Sequence, residues 1–149
     1  MDERRRTAGA NGIRFESVSN PLEVGLIKLL GLNVVEASPD VVRLSWQVSP
    51  DHLQPDAIVH GGVHCAAAET AASIGASLWF GDRGRVVGVS NQTDFLRAVR
   101  EGTLTATATP IHRGRSQQLW LVEIVDEQSR LLARGQVRLQ NLTPRANDG

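Results

Sequence analysis

The chain has 149 residues, enough for one domain with a single substantial core and too few for two. Lysine and arginine together number 16 and match the 16 aspartates and glutamates, so the charge balance asks for neither nucleic acid nor an anionic membrane as partner. Cys65 is the sole cysteine and cannot close an internal disulfide; no apolar signal-peptide core follows Arg4-Arg5-Arg6, and the longest apolar-rich run is interrupted by His64, Glu69 and Thr70. The expectation is a cytoplasmic protein with no membrane partner.

In chain order, residues 1–19 mix charge, glycine and alanine without periodicity and read as a flexible N-terminal tail. A helix start follows, with Asn20 as N-cap, Pro21 at the first helical position and Glu23 where a capping-box acid belongs. Leu22, Leu26, Leu29 and Leu30 recur at helical spacing up to Gly31, which suits a left-handed helix end. The period then becomes two. Val42, Leu44, Trp46 and Val48 alternate with Val41, Arg43, Ser45 and Gln47, and the segment from Leu32 to Val35 is the expected hairpin partner across Ser38-Pro39-Asp40. A loop with Pro50, Asp51, Pro55 and Asp56 leads to His60. From Gly62 to about Phe80 the chain reads as one long helix, small and apolar nearly all round, which is the pattern of a buried helix.

The remainder reads as strands: Arg85 to about Leu96, a segment in which Leu104, Ala106 and Ala108 alternate with threonines, Gln118 to Val125, and Leu131 to Gln140. Turns fall at Arg113-Gly114 and between Asp126 and Ser129, and residues 142–149 form a C-terminal tail. On the last strand Leu131, Ala133, Val137 and Leu139 share one face, opposite Arg134, Gln136, Arg138 and Gln140, as in an antiparallel sheet with one buried face. One long helix and a run of strands that must cover it predict an α+β domain over 20–141, a curved antiparallel sheet wrapped around a central helix.

Glu69 is the only formally charged residue between Val63 and Phe80. A carboxylate buried without a partner is costly, so its presence in an alanine-rich helix points to use. Gly61 and Gly62 open that helix, where amide groups lack intrahelical acceptors and the dipole favours a developing negative oxygen. Glycine also lets a carbonyl approach the backbone. His60-Gly61-Gly62, Glu69 nine residues after the histidine, and Gln54 six before it resemble the hotdog-fold acyl-CoA thioesterases, in the branch of the phenylacetate-degradation and 4-hydroxybenzoyl-CoA thioesterases. The resemblance extends over roughly residues 22–140, through Phe95-Leu96-Arg97 and His112-Arg113-Gly114-Arg115.

That resemblance implies hydrolysis of an acyl-CoA substrate without a cofactor. It further implies that the Gly61 amide polarises the thioester carbonyl and that Glu69 acts as nucleophile or as general base for water. Ser73, one turn beyond Glu69, is placed to orient the carboxylate or hold the water, and Gln54 and His60 to contact the thioester region. Arg113 and Arg115, flanking Gly114 at a hairpin tip, suit the phosphates of coenzyme A. The carboxylate and the amide serving one carbonyl are expected to come from two subunits of a homodimer, which in this family often pairs again into a tetramer. Edge strands of a single open sheet point the same way.

Other residues have plainer readings. His60 can simply cap the helix. His64 follows it at a spacing seen in helical zinc pairs, but no third ligand stands at an expected spacing, so no metal is expected. His64 and Cys65 differ from the aliphatic residues that the resemblance leads one to expect, and read as packing or interface variants that alter pocket polarity. Asn91 and Asp94 border the expected acyl pocket, while Trp46, Trp79 and Trp120 read as core or interface residues. Two other functions remain open at this point: a hotdog-fold dehydratase or hydratase, to which the nine-residue spacing is poorly suited, and a non-catalytic acyl-CoA-binding domain, which has no need of Glu69.

Overall fold

The computed structural model describes residues 23–144. The tail over residues 1–19, the Asn20 cap, Pro21, Leu22 and most of the C-terminal tail lie outside the described residues. The first helix, α1, spans Gly25–Leu29. Val24 is extended, so Glu23 precedes the helix and takes no capping role in it. The inward face also differs from the leucine spacing: Ile27 and Leu30 pack on the core, whereas Leu26 and Leu29 are exposed. A five-residue helix has a single turn to place, and its end is held by Gly31 in the left-handed region and by Leu32, which is buried.

Strands β1 (Asn33–Ala37) and β2 (Val42–Gln47) form the expected hairpin, closed by Ser38, whose hydroxyl accepts from the amides of Asp40 and Val41 at 3.2 and 3.0 Å. A 3-10 turn at Pro50–His52 leads through a loop to the long helix α2, Gly61–Phe80. Four long strands follow: β3 (Arg85–Phe95), β4 (Thr103–Arg113), β5 (Gln117–Val125) and β6 (Leu131–Leu142). All neighbouring pairs are antiparallel, in the order β1-β2-β4-β5-β6-β3. The sheet curves around α2, and this is the hotdog fold.

Side-chain size explains how one helix fits inside one sheet. Strand β4 offers α2 only Leu104, Ala106 and Ala108, all fully buried, while β5 and β6 bring Trp120, Val122, Ile124, Val137 and Leu139. The helix answers with Ala67, Ala68, Ala71, Ala72, Gly75 and Ala76. At Gly75 a Cβ would stand 2.6 Å from the Trp120 ring, so the indole occupies the space that this glycine leaves. Close packing of this kind supplies the contacts that a helix without large side chains cannot supply alone.

The sheet leaves two edges, β1 and β3. Strand β3 pairs with β6 from Arg85↔Leu142 to Phe95↔Ala133, and Val87 and Val89 on it are exposed. Among the described residues no helix is long and apolar enough to cross a membrane.

Candidate active site

The start of α2 is built by a chain of local bonds. His52, buried by the loop, accepts from the Ser49 amide through Nδ1 at 3.1 Å and reaches the Leu30 carbonyl through Nε2 at 3.0 Å. With Nδ1 accepting, the ring proton lies on Nε2, which donates to that carbonyl. The His52 carbonyl in turn accepts from the His60 amide at 2.8 Å, and Gln54 and Ile58 close the loop between them. Gln54 is half-buried and its backbone carries the turn, with Ala57 in the left-handed region at φ 58°. His52 did not stand out in the sequence, because its partners lie in distant segments.

His60 is the N-cap of α2, and its Nδ1 accepts from the Gly62 amide at 2.8 Å. The capping role is therefore real, and the ring proton of this exposed residue sits on Nε2. A Cβ on Gly62 would meet that same Nδ1 at 2.9 Å, so the second glycine makes room for the cap. A Cβ on Gly61 would meet the Phe95 ring at 2.5 Å; the first glycine makes room for an aromatic side chain from the end of β3. Val63 donates to the His60 carbonyl, and among the described residues the Gly61 amide is left without an acceptor. It is the free donor at the positive end of a 20-residue helix.

Glu69 is exposed within the protomer. Its carboxylate lies against Gly88 on β3, where an added Cβ would stand 2.8 Å from Oε1. Ser73 is half-buried one turn along. Eight residues of helix separate Gly61 from Glu69, which amounts to about 12 Å along the axis. The two groups therefore stand about two turns apart in one chain.

Strand β3 lies along this face of the helix. Asn91 ties β3 to α2: its amide donates to the Cys65 carbonyl at 2.9 Å, and its Oδ1 accepts from Thr93 at 2.7 Å. Asp94 is exposed. His64 is buried, its ring centroid 6.0 Å from that of Phe95, and its Nδ1 has no partner. Burial lowers its pKa from 6.5 to about 4, so the imidazole is neutral at pH 7.

At the far end of the helix, Arg113 donates to the Pro39 carbonyl and to Asp40, both at 2.9 Å, and lies over Trp79. Arg115 is exposed, with no side-chain partner among the described residues. The turn between them is fixed from inside. Buried Asn141 donates to the carbonyls of Gly114 and Arg115 at 3.0 and 3.2 Å, and Gln118 donates to Asn141 at 2.8 Å and to the Ala76 carbonyl at 3.2 Å. The Trp120 indole donates to Gln118 at 2.9 Å and completes the network. Trp46 and Trp120 belong to the core, whereas Trp79 is half-buried beneath Arg83 and Arg113.

Comparison with known proteins places the chain in a family. Residues 57–133 match the family model described as the thioesterase superfamily. The crystal structure of AziG from S. sahachiroi is 52% identical, with a TM-score of 0.79 over 81% of this chain and 98% of that one. The Rv1847/MT1895 protein of Mycobacterium tuberculosis is 51% identical, with a TM-score of 0.77 over 79% of this chain and 96% of that one. A Listeria monocytogenes protein named 1,4-dihydroxy-2-naphthoyl-CoA hydrolase is 35% identical over 109 residues, 73% of this chain and 89% of its own length. With the model matching more than half of the sequence and the fold in agreement, the chain belongs to the thioesterase superfamily.

Proposed function

We propose that the protein hydrolyses an acyl-CoA thioester to a free acid and coenzyme A. The observation that carries this reading is the pairing of an exposed carboxylate, Glu69, with an acceptor-free helix amide, Gly61, on the same small-residue helix. The Gly61 amide polarises the thioester carbonyl and holds the oxyanion. Glu69 either attacks the carbonyl carbon, forming an anhydride that water then hydrolyses to the free acid and the carboxylate, or takes a proton from the attacking water; in both routes the C–S bond breaks and the coenzyme leaves as its thiol. His60 fixes the amide's orientation through its cap on Gly62, Gln54 shapes the loop beside it, and Ser73 orients the carboxylate or its water. The Listeria relative, by its name, acts on a CoA thioester, which supports the choice of carrier.

The helix rise of about 12 Å from Gly61 to Glu69 supports a shared site. An oxyanion donor and a nucleophile acting on one carbonyl must each lie within about 3 Å of it. Two turns of helix hold them apart in one chain, so in this reading Glu69 serves the carbonyl held by Gly61 of a second copy in a homodimer, with a tetramer formed by pairing dimers. Arg115, exposed and with no side-chain partner among the described residues, meets the coenzyme phosphates, and Arg113 and Gly114 hold the turn that presents it.

Hydrolysis of a panel of acyl-CoA esters tests the reading. Glu69→Gln is expected to lose on the order of a hundredfold or more in kcat. Hydrolysis at the wild-type rate by that variant removes the assignment.

A further inference from the structure

Gly88 has no backbone reason to be glycine. Its φ is outside the left-handed region, and it is exposed, so no core contact restricts its size. Glycine inside a strand weakens it and commonly marks a bulge or a close approach, and Gly88 has both. The register passes from Gly88↔Leu139 to Ser90↔Arg138, which leaves Val89 as an extra residue in β3. The three atoms nearest to a Cβ at Gly88 are all from Glu69: Oε1 at 2.8 Å, Cδ at 3.4 Å and Cγ at 3.7 Å.

We propose that Gly88 and the bulge after it form the seat of the Glu69 carboxylate, which makes Gly88 a positioning residue for the reaction. Glu69 is on the exposed side of a helix whose other faces are packed, and among the described residues no side chain bonds its carboxylate. Within one protomer its orientation therefore depends on the surface it lies on. The flat backbone at Gly88 lets the carboxylate rest along β3. The bulge bends the strand there, as bulges beside active sites do when they re-aim a side chain. A methyl group at Gly88 displaces the flexible end of Glu69 and nothing in the core, so it moves the reacting oxygen without loosening the fold.

This proposal rests on the catalytic reading of Glu69, and the experiment separates the two. Steady-state kinetics and thermal unfolding are measured with the full chain for Gly88→Ala, Glu69→Gln and the double variant, using whichever acyl-CoA ester of the panel is turned over fastest. Gly88→Ala is expected to lower kcat roughly ten- to a hundredfold with KM and Tm unchanged, because a small misplacement of a reacting group has an effect of that size. It is expected to cause no further loss in the Glu69→Gln background. Wild-type kcat in Gly88→Ala overturns the seat, as does an equal loss in both backgrounds, which shows Gly88 acting by another route. Full activity in Glu69→Gln instead overturns the catalytic reading itself. Glu69→Asp provides a second variant that leaves β3 untouched: its shorter side chain withdraws from Gly88, so kcat falls with KM unchanged, and wild-type kcat in Glu69→Asp again overturns the seat.

Discussion

His64 is 3% exposed, has no partner for Nδ1, and titrates at about 4 instead of 6.5 because burial disfavours its charged form. The unfolded chain takes up a proton at this residue as pH falls through 6.5, whereas the folded chain does so only near 4. The stability that the neutral ring allows is thus fully present above pH 6.5 and is lost as pH falls to about 4, by about 3 kcal/mol at most. His64→Leu is expected to flatten the dependence of the urea midpoint on pH across that window; an unchanged slope means that another group sets it. At this scale Glu69 was readable from the sequence because a charge in a run of alanines is conspicuous. Gly88 was not, since a strand glycine acquires meaning only when the helix residue 19 positions earlier lies on top of it.

Among the elements, α2 and β5 show that a helix glycine can be required by its neighbour. Gly75→Ala should gain up to about 1 kcal/mol in helix propensity. The new Cβ would stand 2.6 Å from the fully buried Trp120 ring, and overpacking of that kind costs about 1–3 kcal/mol. A net fall in Tm is expected, and a rise would mean that the indole relaxes freely. The strands were legible because Leu104, Ala106 and Ala108 alternate with threonines, and the pattern of half-burial that this implies is what β4 shows. The face of α1 was not legible: its leucines keep helical spacing, but the helix is only one turn long and Ile27 and Leu30 are the residues that reach the core. The network of Gln118 and Asn141 escaped for a different reason. Its members are 23 residues apart and each, taken alone, looks like a polar strand residue.

For the whole molecule, the critical expectation is that carboxylate and amide come from different chains. Gly61→Pro removes the amide proton at a helix position where proline is well tolerated, once the Phe95 ring gives way. Gly61→Pro and Glu69→Gln should each be inactive alone. Refolded together in equal amounts, half of the dimers are mixed and each mixed dimer has one intact site, so about a quarter of wild-type activity should return. No recovery places both groups in one chain and ends the shared-site model.

The strand order has a consequence for how the site comes into being. Strand β3 is made directly after the helix, yet its partner is β6, the last strand, with Arg85 paired to Leu142. Pairings so distant in sequence close late, because the intervening chain must first be ordered. A nascent chain therefore carries Glu69 and Gly88 long before anything holds them together. The surface on which the carboxylate rests is completed only when the final strand is laid down, so a protomer acquires it at the last step of its own folding.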